Sequence, residues 1–229
     1  MRRILLILFV FTPFFAKAQT AQDSLPENPR YLEDQFYLGI TYNFLLNKPT
    51  DVSQRNLSYG LQAGFIKDIP LNRERTVSFG IGLGYGAYSY YSNLQALEIN
   101  DDFSYSVLVD GNSGIKRNKV ETHMIEMPIE FRWRNSTASS YKFWRVYMGA
   151  RLGYVVGARS KAVFETYKDS FYNRDVSDFQ YGLTFNFGYN TFNIHIYYAL
   201  NYLFDGAATE TGEDINLKPL RVGLIFYIL

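Results

Sequence analysis

From Phe36 onward the sequence alternates in polarity with a period of two. Phe36, Leu38, Ile40, Tyr42 and Phe44 stand on one face of an extended chain, and Tyr37, Gly39, Thr41 and Asn43 stand on the other. The same alternation returns seven more times, each time over about ten or more residues, the length that crosses a bilayer at the tilt of a barrel strand. Strands are predicted over 35–46, 57–69, 76–91, 119–134, 142–159, 178–189, 192–203 and 218–229. In 76–91, Val77, Phe79, Ile81, Leu83, Tyr85 and Ala87 alternate with Ser78, Gly80, Gly82, Gly84 and Gly86. In 192–203, Phe192, Ile194, Ile196, Tyr198, Leu200 and Tyr202 alternate with Asn193, His195, Tyr197, Ala199 and Asn201.

One face of every strand is therefore greasy and the other is small or polar. A soluble barrel would turn its greasy face inward and leave a polar exterior, but here the faces opposite the apolar ones carry Gly, Ser, Thr, Asn and charges. After the N-terminal segment no apolar run is long enough for a membrane helix. The chain also holds 20 Tyr, 19 Phe and 17 Gly against 7 Pro, as aromatic girdles and tight strand packing require. The expected fold is all-β: an up-and-down, eight-stranded antiparallel transmembrane β-barrel with its apolar face toward lipid. With outward parity set by each apolar face, one strand end presents Phe36, Phe65, Phe79, Trp133, Trp144, Tyr189, Phe192 and Phe226, one per strand. The other end presents Phe44, Tyr59, Tyr85, Tyr154, Tyr181 and Tyr202.

The connections alternate in length. Those at 70–75, 135–141 and 190–191 are short, and those at 47–56, 92–118, 160–177 and 204–217 are long. Bacterial outer-membrane barrels have short periplasmic turns and longer extracellular loops, so both termini are expected in the periplasm. The stretch Ser104-Tyr-Ser-Val-Leu-Val-Asp-Gly alternates again and is expected to prolong strands three and four above the membrane. Export is signalled at the N-terminus: Arg2 and Arg3, the apolar run Ile4 to Phe15, and Ala16-Lys17-Ala18 read as a signal peptide over 1–18. Residues 19–34 read as a periplasmic lead-in and 35–229 as the barrel.

Of 23 Lys and Arg, loss of Arg2, Arg3 and Lys17 leaves 20 against 22 Asp and Glu, a formal charge of −2. That balance argues against a nucleic-acid partner. With no cysteine, neither disulfides nor thiol chemistry is available. The outer-membrane lipid is the expected environment, and no small-molecule substrate, cofactor or metal is predicted. The inward face of strand four carries Glu126, Glu130, Arg132 and Arg134, and that of strand five carries Arg145, Arg151 and Arg159. These charges make either a selectivity constriction or a plug of salt bridges. The narrow interior of an eight-stranded barrel, which side chains can fill, favours the plug. The glycines of strand three are expected to make room for inward tyrosines such as Tyr37, Tyr147 and Tyr197. A phosphate loop is rejected, since their period of two belongs to a strand. His123 with Glu121 could serve a lipid-modifying enzyme, but no serine nucleophile can be assigned beside them. No catalytic residue is predicted.

The segments HMIEMPIEFRWRNST (123–137) and YKFWRVYMGARLGYV (141–155) resemble the PorT family of outer-membrane barrels, associated with type IX secretion and gliding machinery. Met127-Pro-Ile-Glu-Phe131 recurs in the wider class of small barrels, whereas Tyr141-Lys-Phe-Trp-Arg and the Arg151-Leu-Gly-Tyr run point to PorT itself. The resemblance implies a non-enzymatic role in cargo export or in assembly of the export machine, with other secretion-machinery proteins as partners. It implies no catalytic residues. The last strand ends Phe226-Tyr-Ile-Leu229, a departure from barrels that finish on an aromatic residue. A structural or adhesion barrel and a lipid-modifying enzyme are the competing readings.

Overall fold

The computed structural model describes residues 35–54, 56–99, 102–108, 114–135, 143–190 and 192–228. The expected signal peptide and the lead-in 19–34 lie outside the described residues. Among those described, the strands are β1 (Gln35–Leu46), β2 (Tyr59–Pro70), β3 (Val77–Tyr91), β4 (Leu94–Ile99), β5 (Asp102–Val107), β6 (Ile115–Arg134), β7 (Trp144–Phe164), β8 (Lys168–Tyr172), β9 (Phe179–Tyr189), β10 (Phe192–Ala199) and β11 (Lys218–Ile228).

Eight of these close a barrel in the order β1, β2, β3, β6, β7, β9, β10, β11, with every pairing antiparallel. β11 returns to β1 with Phe36 opposite Ile228 and Leu46 opposite Lys218. Closure leaves no unpaired edge, which is what allows strands to stand in hydrocarbon. The alternation sets the two faces: Phe36 is 61% exposed and the next residue, Tyr37, 0%. Leu38, Ile40, Leu61, Leu83, Leu183 and Ile194 are exposed on the outer wall in the same way. Such a continuous apolar exterior would be an aggregation surface in water and is a solvent-matched one in lipid. Both aromatic girdles lie where the alternation puts them. All fourteen residues point outward, Phe226 half-buried against Phe192 and the rest exposed.

At the short-connection end, Tyr189 pairs with Phe192 across a two-residue turn, in which Asn190 adopts φ 56°. Asparagine tolerates that left-handed conformation, and the twist of such a turn suits a hairpin. At the opposite end β10 stops at Ala199, short of the expected 203. The side chain of Asn201 takes over there: it accepts from Tyr181 N at 3.0 Å and donates to Phe179 O at 2.7 Å.

The long connections differ from expectation. The stretch beginning at Ser104 does not prolong strands three and four. Its residues in β5 pair with β4 as a separate hairpin. Leu94, Ala96 and Tyr105 of that hairpin pack on Leu203, Phe204, Ala207, Ile215 and Leu217, with Val52, Tyr90 and Val120 beside them. These apolar side chains could not remain buried on a ribbon standing free in water, so the hairpin folds over the barrel mouth as a cap. The extension belongs instead to β6, β7 and β8. β6 starts at Ile115 and β7 runs to Phe164, and β8 adds to the edge of β7.

Candidate functional site

The lumen holds two layers of ion pairs. In the layer nearer the short turns, Arg132 of β6 donates to Glu130 at 3.0 Å and to Asp68 of β2 at 3.1 Å, and Arg134 donates to Asp68 at 2.9 Å. Ser78 donates to Asp68 at 2.8 Å, and Asn186 of β9 donates to Glu130 at 3.3 Å. Asn186 also bonds His195 Nδ1 at 2.5 Å. In the deeper layer, Glu126 accepts from Arg151 at 3.2 Å, from Arg221 of β11 at 3.4 Å and from the Tyr88 hydroxyl at 2.8 Å. Gln62 accepts from Arg151 as well.

Tyrosine rings flank the cations. Arg221 Cζ lies 3.5 Å from the Tyr88 ring centroid and 4.3 Å from that of Tyr197, and Arg132 lies 4.6 Å from that of Tyr147. Such stacking stabilises a guanidinium that has left water. Glycines make this packing possible. A Cβ at Gly84 would stand 2.0 Å from Tyr37 Oη, and one at Gly80 would stand 2.7 Å from Arg132 Nε. Tyr37 is thus accommodated as the sequence suggests, and Gly60 and Gly86 do the same for Tyr88.

Glu126, Glu130, Arg132, Arg134 and Arg151 are buried in this network, with exposure of 0 to 1%. Arg145 also turns inward but lies apart, donating to Asn190 O at 2.9 Å and packing on Phe143. Arg159 corrects the expectation, because it is exposed on the outer wall. The register of β6 against β7 slips between His123 and Met124: Met124 faces Val155 while His123 faces Gly157. Val156 is the extra residue of this β-bulge, and an added residue reverses the facing of all that follow. Two members of the network were missed, Asp68 and Arg221. Parity could have found both, since Asp68 shares its face with Gln62 and Ile66, and Arg221 shares its face with Ile225 and Tyr227.

On the outer wall, His123 Nδ1 bonds the Tyr85 hydroxyl at 2.6 Å, and the two rings stack. Glu121 is held by Lys119 and Lys161. The histidine and the carboxylate that a lipid-modifying site would couple are thus each paired elsewhere.

Residues 18–205 match the family described as outer membrane protein beta-barrel domain. No curated protein matches the sequence. Among solved structures, the attachment invasion locus protein Ail of Yersinia pestis is 13% identical, with 85% of this chain and 97% of that one covered and a TM-score of 0.35. A mutant porin of Rh. blastica is 10% identical, with coverage of 86% and 100% and a TM-score of 0.22. With its closed eight-stranded wall, its two aromatic girdles and a match over most of its length, the chain belongs to the outer membrane protein beta-barrel domain family and is a protein of the bacterial outer membrane.

Proposed function

We propose that this barrel is a non-enzymatic component of a type IX-like protein-secretion system, acting in cargo export or machine assembly through contacts with other proteins of the machine. The observation that carries the reading is the filled lumen. Glu130, Arg132, Tyr37, Tyr147 and His195 are 0% exposed, so these inward side chains are packed against one another and fill the lumen around them. A barrel blocked by its own side chains offers its surfaces, not its bore. The secretion role itself rests on the PorT resemblance of 123–137 and 141–155. The separate pairing of His123 and Glu121 supports a non-enzymatic role. Both termini are assigned to the periplasm because the short turns lie at their end of the barrel. The β4–β5 cap, the β6–β7–β8 extension and the segment 204–217 are then the extracellular contact surfaces.

The test deletes the gene, measures cargo proteins in the medium, and complements with a barrel whose 92–118 segment is replaced by a tight turn. Loss of several cargoes is expected in the deletion strain, with incomplete rescue by the shortened barrel. Normal secretion in the deletion strain would reject the secretion role and favour a structural or adhesion barrel. A changed lipid A in that strain would favour an enzyme.

A further inference from the structure

The bulge at Val156 places an arginine among lysines on the outer wall. Glu121 stands opposite Arg159, and Lys119 opposite Lys161, on the outward face of β6 and β7. Glu121 accepts from both lysines. Arg159, exposed beside them, has no hydrogen-bond or ion-pair partner among the described residues. The patch therefore holds three cations against one carboxylate, which pairs with the two lysines and leaves the charge of Arg159 uncompensated among the described residues. Lys119 is steadied by Tyr91, its ammonium 5.2 Å from the ring centroid. Tyr172 of β8, exposed, lies across from Arg159 on the other side.

The height of this patch identifies what it meets. Ile125 pairs with Tyr154 and with Tyr85, at the level of the outer aromatic girdle. Glu121 lies four residues further along β6. At roughly 3.3 Å per residue and a tilt of about 40°, that is about 10 Å beyond the girdle along the membrane normal. Lipid-facing residues end at the girdle and headgroups begin there. The patch is on the convex wall, so a ligand reaches it sideways from the leaflet.

We propose that Arg159, Lys119 and Lys161 form a binding site for the phosphates of a phosphorylated glycolipid headgroup, of the lipid A type, in the adjoining leaflet. The planar fork of Arg159 suits two phosphate oxygens, while the lysines add point charges whose spacing Glu121 maintains. The outward turn of Arg159 has a use in this reading, as bulges commonly re-aim one side chain. The proposal rests on the orientation given above, with the long connections outside.

The test titrates the purified full-length barrel in detergent with bisphosphorylated lipid A, the same lipid without phosphates, phosphatidylglycerol and inorganic phosphate. Native mass spectrometry counts the bound molecules. Retention of the bisphosphorylated lipid alone is expected, and Arg159→Gln with Lys161→Gln should weaken it about tenfold or more. Both positions are on the outer surface, and heat-modifiable gel mobility verifies that the variant is folded. Equal retention of the dephosphorylated lipid, a preference for phosphatidylglycerol, saturation by inorganic phosphate, or unchanged binding by the variant would each overturn the proposal. A failure of the orientation would be read separately, by surface labelling of cysteines on intact cells.

Discussion

Arg132 reaches across Gly80 of β3 to the carboxylate of Asp68 on β2, donating to it at 3.1 Å. A side chain at residue 80 would block that path, as its Cβ would stand 2.7 Å from Arg132 Nε. One missing side chain thus lets two strands that are not neighbours be tied through the lumen. The charges inside the barrel hold one another in place through several such ties.

The two lumen glutamates should differ in what they contribute. Glu130→Ala leaves Arg132 its bond to Asp68, whereas Glu126→Ala removes the carboxylate shared by Arg151 and Arg221. Breaking a buried pair from one side typically costs about 3–5 kcal/mol. Urea unfolding in detergent micelles should show Glu126→Ala near that range and Glu130→Ala destabilised by less. The reverse order would mean that the deeper layer is hydrated.

Planar-bilayer recordings of the purified protein should show little or no steady conductance. The buried side chains of Arg132, Tyr37 and Tyr147, with Arg151 deeper in, fill the bore. Stable, large, ohmic channels would contradict the plug.

Orientation can be read from two cysteines. Ala208→Cys lies in the exposed part of the long 204–217 connection, and Glu74→Cys lies in the short 70–75 turn. An impermeant thiol reagent should label the first on intact cells and spare the second. Labelling of Glu74→Cys from outside would invert the barrel.

Outside the membrane span, Glu121 should confer a pH dependence. Burial acts to raise its carboxyl pKa, but hydrogen bonds from Lys119 and Lys161 outweigh that and hold it below the ordinary value of 4.5. A folded pKa below the unfolded one stabilises the protein above the unfolded value, and the contribution is lost as pH falls through the folded value. Thermal melts taken below about pH 4.5 should therefore decline less steeply in Glu121→Gln than in the parent protein. Parallel declines would mean that the lysines do not engage Glu121 in solution.

Alternation alone placed the eight wall strands, the outward girdles and most of the lumen charges, because in a closed barrel each residue's facing follows from its parity. It would also have placed Asp68 and Arg221, had the inward faces of β2 and β11 been read as closely as those of the strands equivalent to β6 and β7. Arg159 could not be read this way. Parity persists only while the register does, and the single extra residue at Val156 depends on how β6 and β7 pair. The cap was hidden for a related reason: the alternation around Tyr105 signals a strand, but its burial depends on Phe204, about a hundred residues further along the chain. Local pattern determined which way each strand faces. Contacts between distant segments decided where the pattern breaks and what covers the barrel's mouth, since neither register nor burial is a property of one segment by itself.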